Sequence, residues 1–167
     1  MNIRPVRPGD APAIAAIYNH YIERTTVTFE ETAVSGVEIA ARIARIARAY
    51  PYLVAETDGA IVGYSYADRW HERCSYRLSV ETTVYLAAER TGAGIGTALY
   101  SRLLEALETA GFHCAIGGIA LPNPASVALH EKLGFERVAL FREVGRKFDR
   151  WVDVGYWQRL LGGAAPT

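Results

Sequence analysis

The sequence predicts an α/β protein with a mixed central sheet of about seven strands and helices on both faces of that sheet. Short apolar runs alternate with amphipathic helical segments along the whole chain. An early hairpin is followed by helical crossovers, so antiparallel and parallel strand pairs are expected in one sheet. The 167 residues contain no repeat or linker and fit one domain that buries its own core.

The first half of the chain predicts a strand, two helices and a hairpin. Asp10 and Ser35 are placed to cap the two helices, and Glu38 completes an S-x-x-E capping box with Ser35. Asp58-Gly59 lies between two apolar runs and is a strong signal for a tight hairpin turn. The predicted elements are a strand at 3–6, a helix from 10 to about 21, a helix from 35 to before 51, and strands at 53–55 and 61–64.

The second half predicts strands joined by helical crossovers. A glycine-rich turn at 92–96 separates a strand from a helix, and Pro124 suits the first turn of a short helix. We expect one domain over 1–161 and a flexible tail over 162–167. The predicted elements are a strand at 80–86, a helix at 95–110, a strand at 114–121, a helix at 124–132, and strands at 135–141 and 151–160.

Composition argues against several classes of protein. Eighteen basic residues balance eighteen acidic ones, whereas proteins that bind nucleic acid or anionic membranes usually carry a basic excess. No apolar run is long enough to cross a bilayer, and the first residues do not resemble a signal peptide. Two cysteines without CxxC spacing and four histidines without ligand spacing argue against disulfides and metal. We expect a cytoplasmic, metal-independent protein that acts on small molecules, without nucleic-acid or membrane partners.

The glycine-rich turn is a candidate anion site. It follows the apolar strand Val84-Tyr85-Leu86 and opens a helix, so its amides can face one concavity at the positive end of the helix dipole. A dinucleotide fingerprint would need a glycine at Thr97, and a P-loop would need a Gly-Lys-Ser/Thr run that the chain lacks. A pyrophosphate site and a tight turn without a ligand both remain open.

The run Thr91-Gly92-Ala93-Gly94-Ile95-Gly96 resembles the acetyl-CoA loop of the GNAT N-acetyltransferases, Gln/Arg-x-x-Gly-x-Gly/Ala. Thr91 stands at the position of the usual Gln or Arg, which is a departure from that pattern. Seven segments are similar to the phosphinothricin and methionine-sulfoximine N-acetyltransferase branch of this superfamily. They are 18–22, 26–29, 76–86, 121–126, 129–135, 145–148 and 151–158, so the resemblance covers nearly the whole chain.

This resemblance implies an acetyl-CoA-dependent N-acetyltransferase with the GNAT fold. It implies transfer of acetyl to the α-amino group of a small amino-acid-like acceptor, of the phosphinothricin, methionine sulfoximine or methionine sulfone type. The amine would attack the thioester directly, and the protein would be a homodimer. Two alternatives stay open: another acceptor, such as a peptide N-terminus, a polyamine or an aminoglycoside, and a regulatory module that binds CoA without turnover.

The resemblance also implies roles for individual residues. Glu81, an acid in an otherwise apolar strand, is the candidate general base, and a structural ion pair with Arg73 or Arg77 is its alternative. His130 is the candidate acid for the departing thiolate, or a helix residue that packs in the core. The implied acetyl-CoA residues are Val84, Tyr85, Leu86, Thr91, Gly92, Ala93, Gly94, Ile95, Gly96, Thr97, Asn123 and Ser126. The implied acceptor residues are Phe29, Arg73, Tyr76 and Arg77.

Overall fold

A seven-stranded sheet runs through the computed structural model, which describes residues 1–162. The spatial order of the strands is β1-β2-β3-β4-β5-β7-β6, and every neighbouring pair is antiparallel except β4 and β5. The elements are β1 Asn2–Pro5, α1 Ala11–Arg24, α2 Gly36–Ile46, β2 Tyr52–Thr57, β3 Ala60–Arg69, β4 Ser79–Leu86, α3 Ile95–Thr109, β5 Cys114–Leu121, α4 Pro124–Lys132, β6 Glu136–Lys147 and β7 Arg150–Leu160.

The predicted fold class and element order are confirmed, and β5 and α4 have the predicted bounds. β6 is longer than predicted, because it continues past Phe141 through an irregular stretch to Lys147. The domain bounds stay a prediction. Most of the predicted tail at 162–167 lies outside the described residues.

Asp10 precedes α1 as predicted, but its carboxylate does not cap that helix. It accepts instead from the amide of Arg7, at 2.7 Å, and from the guanidinium of Arg4, at 2.8 and 2.9 Å. The reason is local: a short 3₁₀ turn over Pro8–Asp10 comes directly before the helix. Asp10 therefore joins β1 to this turn.

The two faces of the sheet carry separate apolar cores. α3 packs on one face through Leu99, Leu103 and Leu107, which are fully buried. α1 and α2 pack on the other face, where the buried side chains include Ile14 and Ile39. Helices therefore cover both faces, as the sequence predicts, and each face can present a different set of side chains to a site in the sheet.

Local signals act where the sequence places them. The Ser35 hydroxyl accepts from the amide of Glu38 at 3.2 Å, and the Glu38 carboxylate accepts from the Ser35 amide at 2.7 Å, which completes the capping box. Asp58 and Gly59, at φ 53° and 77°, form the left-handed turn between β2 and β3. Among residues 1–162 no helix is both long and apolar enough to cross a membrane.

The parallel pair β4 and β5 is joined over only part of its length. Ser79–Glu81 pair with Cys114–Ile116, and beyond these residues the two strands are no longer paired. The remainder of β4 is paired on one side only, with β3. The sheet therefore contains a gap between β4 and β5.

Candidate functional site

The gap exposes one edge of the β4 backbone. The Leu78 carbonyl points toward β5, because it accepts from amides at the start of that strand. Backbone groups point to alternate sides along a strand, so every second residue after Leu78 directs its amide and carbonyl to the same side. The backbone amides and carbonyls of Val84 and Leu86 therefore face the gap. The backbone of Tyr85 faces β3, and this residue lines the gap with its side chain. Tyr21 donates to the Leu86 carbonyl at 2.6 Å. The open edge can therefore pair with an extended polar ligand.

The glycine-rich turn lies at one end of a groove that continues from the gap. Gly92 and Gly94 adopt φ of 81° and 78°, a region that side chains other than glycine rarely enter. A Cβ at either position would meet no heavy atom within 4 Å, so the turn faces open space. Gly94 is also the N-cap of α3. The groove has a volume of about 510 Å³, and the helix N-terminus favours an anion there.

Most of the predicted acetyl-CoA residues lie together on this groove. They are Val84, Tyr85, Leu86, Thr91, Gly92, Gly94, Gly96, Thr97, Asn123 and Ser126. Ala93 and Ile95 do not line it, and the Ile95 side chain is buried in the core on the α3 face. The Thr91 hydroxyl donates to the Ala88 carbonyl at 3.3 Å, so this side chain is bonded within its own turn.

Sequence reasoning missed several residues of the groove. They are Tyr21, Val27, Ala125, Ala128, Leu129 and Lys132. Lys132 donates to the Thr97 hydroxyl at 3.4 Å, which brings a cation to the end of the groove near the glycine-rich turn. The spacing of Ala125, Leu129 and Lys132 is that of one helix face, so a helical projection of α4 could have found them.

Glu81 lies where the gap begins, on the face of the sheet that carries α1 and α2. Its carboxylate is mostly buried, and burial raises its pKa above the usual range of a glutamic acid. Asp68, its cross-strand partner in β3, raises this pKa further, and His71 lowers it. Asp68 is itself bound by Arg45 of α2 at 2.8 Å. Glu81 is therefore a partly buried carboxylate whose pKa is shifted upward, as suits a general base.

Glycines on β5 allow side chains to approach the gap from both faces. A Cβ on Gly118 would lie 3.4 Å from the Glu81 carboxylate and 3.1 Å from the ring of Tyr156. A Cβ on Gly117 would collide with the imidazole of His130, from the opposite face. These two adjacent glycines separate Glu81 from His130 and let both lie beside the backbone.

His130 is 4% exposed, and both of its ring nitrogens have partners. Nδ1 lies 2.8 Å from the Ser126 carbonyl, and Nε2 lies 3.1 Å from the Tyr100 hydroxyl. Burial lowers the pKa of His130, and the hydrogen bond to Ser126 raises it. The predicted acid role and the packing role are thus both compatible with its position, but neither nitrogen points freely into the gap.

A row of aromatic side chains, here called the aromatic wall, lies beside Glu81. Its members are Tyr76, His71, Trp70, Tyr156 and Phe141, and the rings follow one another at centroid distances of 5.1, 4.7, 5.6 and 5.7 Å. Only Tyr76 was predicted as an acceptor residue. The others come from the loop after β3, from β6 and from β7, and no local spacing signal links them.

The remaining predicted acceptor residues, Phe29, Arg73 and Arg77, are not members of the aromatic wall. Phe29 packs its ring directly on Gly145 of β6, which connects the loop after α1 to the far strands. Arg73 and Arg77 are exposed, and the Arg77 guanidinium donates to the Cys74 carbonyl at 3.4 Å. In the described part of the chain neither arginine forms an ion pair with Glu81. An ion pair of Glu81 with Arg73 or Arg77, the structural alternative to the general base, is therefore not supported.

Residues 1–162 hold no cluster of three or more His, Cys, Asp or Glu side chains suited to a metal.

Known acetyltransferases are similar to this chain over nearly its whole length. The sequence model of the acetyltransferase (GNAT) domain matches residues 3–155. Phosphinothricin N-acetyltransferase of Streptomyces viridochromogenes is 40% identical over 166 residues, which cover 99% of this chain and 91% of that protein. The L-methionine sulfoximine/L-methionine sulfone acetyltransferase of Salmonella typhimurium is 36% identical over 162 residues, which cover 96% of this chain and 95% of that protein.

A solved structure is similar over the same extent. It is a GNAT superfamily phosphinothricin acetyltransferase from Sinorhizobium meliloti in complex with acetyl-CoA. The two chains superpose with a TM-score of 0.95 at 39% identity, and the match covers 99% of this chain and 92% of the other.

Proposed function

Because the chain belongs to the GNAT acetyltransferase family, we propose that it transfers acetyl from acetyl-CoA to the α-amino group of a small amino-acid-like acceptor. The observation that carries this proposal is the position of Glu81, a buried carboxylate with a raised pKa at the start of the gap. A module that only binds CoA would have no use for such a base.

The groove fits acetyl-CoA. The left-handed glycines and the α3 N-terminus suit its pyrophosphate, with Lys132 and Thr97 beside them. The open edge of β4 suits the amide-containing pantetheine arm, which can pair with backbone groups of Val84 and Leu86 as an added strand. When bound, acetyl-CoA supplies an activated acetyl thioester.

Different groups at the gap would carry out the proton transfer and the stabilisation of the transition state. Glu81 removes a proton from the acceptor ammonium, directly or through water, so that the neutral nitrogen can attack. A backbone amide at the open edge of β4 can donate to the thioester oxygen, where negative charge develops in the transition state. Holding both reactants in one gap contributes further acceleration.

The acceptor class follows from the relatives and from the pocket. Relatives at 36–40% identity are named for phosphinothricin and for methionine sulfoximine or sulfone. The aromatic wall suits a short apolar side chain, and the exposed Arg73 and Arg77 suit acidic groups such as a carboxylate or phosphinate. We therefore favour these acceptors over polyamines and aminoglycosides.

A homodimer is part of this proposal. β6 is an edge strand, and the β6–β7 hairpin exposes apolar side chains that a monomer would leave in water. These are Val138, Leu140, Phe141, Val144, Phe148 and Trp151. Phe141 also belongs to the aromatic wall, so a second copy on this hairpin would lie beside the acceptor pocket. We also propose a cytoplasmic location, which the cysteine content of the sequence favours.

The test is a thiol-release assay with acetyl-CoA and a panel of amines. The panel contains phosphinothricin, methionine sulfoximine, methionine sulfone, ordinary amino acids, a polyamine, an aminoglycoside and a peptide with a free N-terminus. We expect turnover with the first three that exceeds turnover with the rest. Turnover confined to other amines would refute the acceptor class. Binding of acetyl-CoA in calorimetry without turnover on any amine would refute the enzymatic function.

A further inference from the structure

A chain of buried hydrogen bonds lies behind His130, on the α3 face of the sheet. His130 Nε2 is 3.1 Å from the Tyr100 hydroxyl, which is 2.6 Å from the Thr82 hydroxyl. Thr82 donates to the Ile116 carbonyl at 3.1 Å. Tyr100 is fully buried and Thr82 is 5% exposed, so solvent does not compete for these contacts. The chain therefore runs from His130 to the point where β4 and β5 separate.

The number of protons in this chain determines its bonding. With the bond from His130 to the Ser126 carbonyl it contains four contacts, and each needs one proton. Thr82 and Tyr100 bring one proton each, and a neutral imidazole brings one. Neutral His130 thus leaves one contact without a proton, and the imidazolium form fills all four.

The proton arrangement also decides which nitrogen can exchange with the gap. In the imidazolium form Nε2 donates to Tyr100, Tyr100 to Thr82, and Thr82 to the Ile116 carbonyl, so the Nε2 proton is held inside the core and only the Nδ1 proton is directed toward Ser126. The other ring nitrogen, Nδ1, lies 2.8 Å from the backbone carbonyl of Ser126 and 3.4 Å from its side-chain hydroxyl. Ser126 lines both the groove and a small cavity of about 80 Å³ between β4 and β5.

We propose that Tyr100 and Thr82 are positioning residues that direct His130 to exchange its proton with the gap through Nδ1 and the Ser126 hydroxyl. The inference rests on the proposed acetyl transfer, which releases a thiolate. Ser126 Oγ gives its proton to the thiolate sulfur, and Ser126 Oγ takes the Nδ1 proton of the imidazolium. His130 ends neutral with its proton on Nε2, and the three bonds from Nε2 to the Ile116 carbonyl stay intact. Between turnovers a proton from solvent in the groove returns to Nδ1 through the Ser126 hydroxyl and restores the imidazolium.

The surroundings of His130 contain one other titratable group. Tyr100 of α3, Phe135 and the backbone of Gly117 on β5 face the ring, and Ser126 is on its own helix. Thr82 of β4 lies behind Tyr100. Burial raises the pKa of Tyr100 well above its usual value, so the phenol stays neutral. Removal of its hydroxyl therefore takes an acceptor from the imidazolium without changing a charge.

The test compares Tyr100→Phe and Thr82→Val with Thr82→Ser, which keeps the hydroxyl, and with Tyr52→Phe as a matched control. Tyr52 is a buried tyrosine of the other core whose hydroxyl has no hydrogen bond among the contacts of the described residues. We expect Tyr100→Phe to lower kcat about tenfold, part of the ~10²–10⁴ that a general acid contributes, with both KM values nearly unchanged. The basic limb of the kcat profile should move to lower pH, and Thr82→Ser should restore what Thr82→Val loses.

A second measurement does not depend on turnover. ¹⁵N spectra of histidine-labelled protein report the protonation of each ring nitrogen, and His130→Asn identifies the His130 signals. Tyr100→Phe should shift the Nε2 signal of His130, whereas Tyr52→Phe should leave it in place. An unchanged Nε2 signal in Tyr100→Phe, or an unchanged pH profile in an active Tyr100→Phe enzyme, would overturn the proposal. If no amine is acetylated, the proposed function fails, and the spectra still decide whether Tyr100 holds His130.

Discussion

The cofactor side of the gap is formed mainly by backbone groups, whereas the acceptor side is formed mainly by side chains. On the cofactor side the ligand would meet mainly backbone: the amides of a left-handed glycine turn, a helix N-terminus and the open edge of β4. On the acceptor side it would meet side chains: Glu81 and an aromatic wall drawn from the β3–β4 loop, β6 and β7. A backbone site depends on a short stretch of chain, whereas a side-chain pocket depends on how distant strands are arranged.

This difference explains what the sequence could predict. Gly94 and Gly96 could be placed because a glycine turn between a strand and a helix is a local pattern with a physical reason. Glu81 could be singled out because a carboxylate in an apolar strand is costly without a partner or a use. The element order followed from local signals of the same kind, such as the Ser35–Glu38 capping box.

The acceptor pocket could not be predicted in the same way. Trp70 and Tyr156 are far apart in sequence and meet only because β7 inserts between β5 and β6. Tyr100 and His130 are also distant in sequence, and they meet only because α3 and α4 lie on the same face of the sheet. The extension of β6 was missed because its pairing with β7 is interrupted after Phe141, so no regular alternation continues there.

The largest expected effect is on the acceptor side, at Glu81. Glu81→Gln keeps the shape of the side chain but removes its ability to accept a proton, so kcat should fall by about 10²–10⁴ at neutral pH. In the wild-type enzyme, activity should be lost as pH falls through the pKa of Glu81, which lies above the usual range of a glutamic acid. Steady-state kinetics over a pH series measure both effects.

Glu105→Gln is the matched control for this substitution. Glu105 is an exposed residue of α3 whose carboxylate pairs with Arg102, and its loss should leave kcat unchanged. A Glu81→Gln enzyme with full activity at neutral pH would remove the base from Glu81 and from the proposed mechanism.

The next largest effect is expected on the cofactor side. Gly94 lines the groove, and Gly94→Ala adds a Cβ that meets no protein atom within 4 Å. We expect the Kd of acetyl-CoA to rise at least about tenfold, because the methyl group occupies the space of the ligand and the turn resists a left-handed alanine at a cost of about 1–2 kcal/mol. Isothermal calorimetry measures the affinity, and thermal unfolding measures the stability.

Gly59→Ala separates these two causes. Gly59 has nearly the same φ as Gly94, 77° against 78°, and a Cβ there also meets open space, but it lies in the β2–β3 turn and not on the groove. Both variants should lose similar stability, and only Gly94→Ala should lose affinity. Equal loss of affinity in both would mean that the groove does not depend on close approach of the backbone at Gly94.

The smallest expected effect sharpens the acceptor side through a residue that no ligand needs to touch. Asp68 lies opposite Glu81 in the β3–β4 pair, and its negative charge favours the protonated form of Glu81. Asp68→Asn removes that charge, so the pKa of Glu81 should fall and the acid limb of the activity profile should move to lower pH. Because Arg45 already offsets part of the Asp68 charge and the pair is partly exposed, this shift should be the smallest of the three effects.

Asp149→Asn provides the comparison for this shift, because it removes an exposed carboxylate that pairs with Arg146 in the β6–β7 hairpin. The acid limb of the activity–pH profile of Asp149→Asn should coincide with that of the wild-type enzyme at the same ionic strength. A displacement of the Asp68→Asn limb to higher pH would mean that loss of the Arg45 contact, rather than loss of a neighbouring charge, controls Glu81. The sign of this small shift therefore tells whether Asp68 acts on the base by its charge or by holding α2 against the sheet.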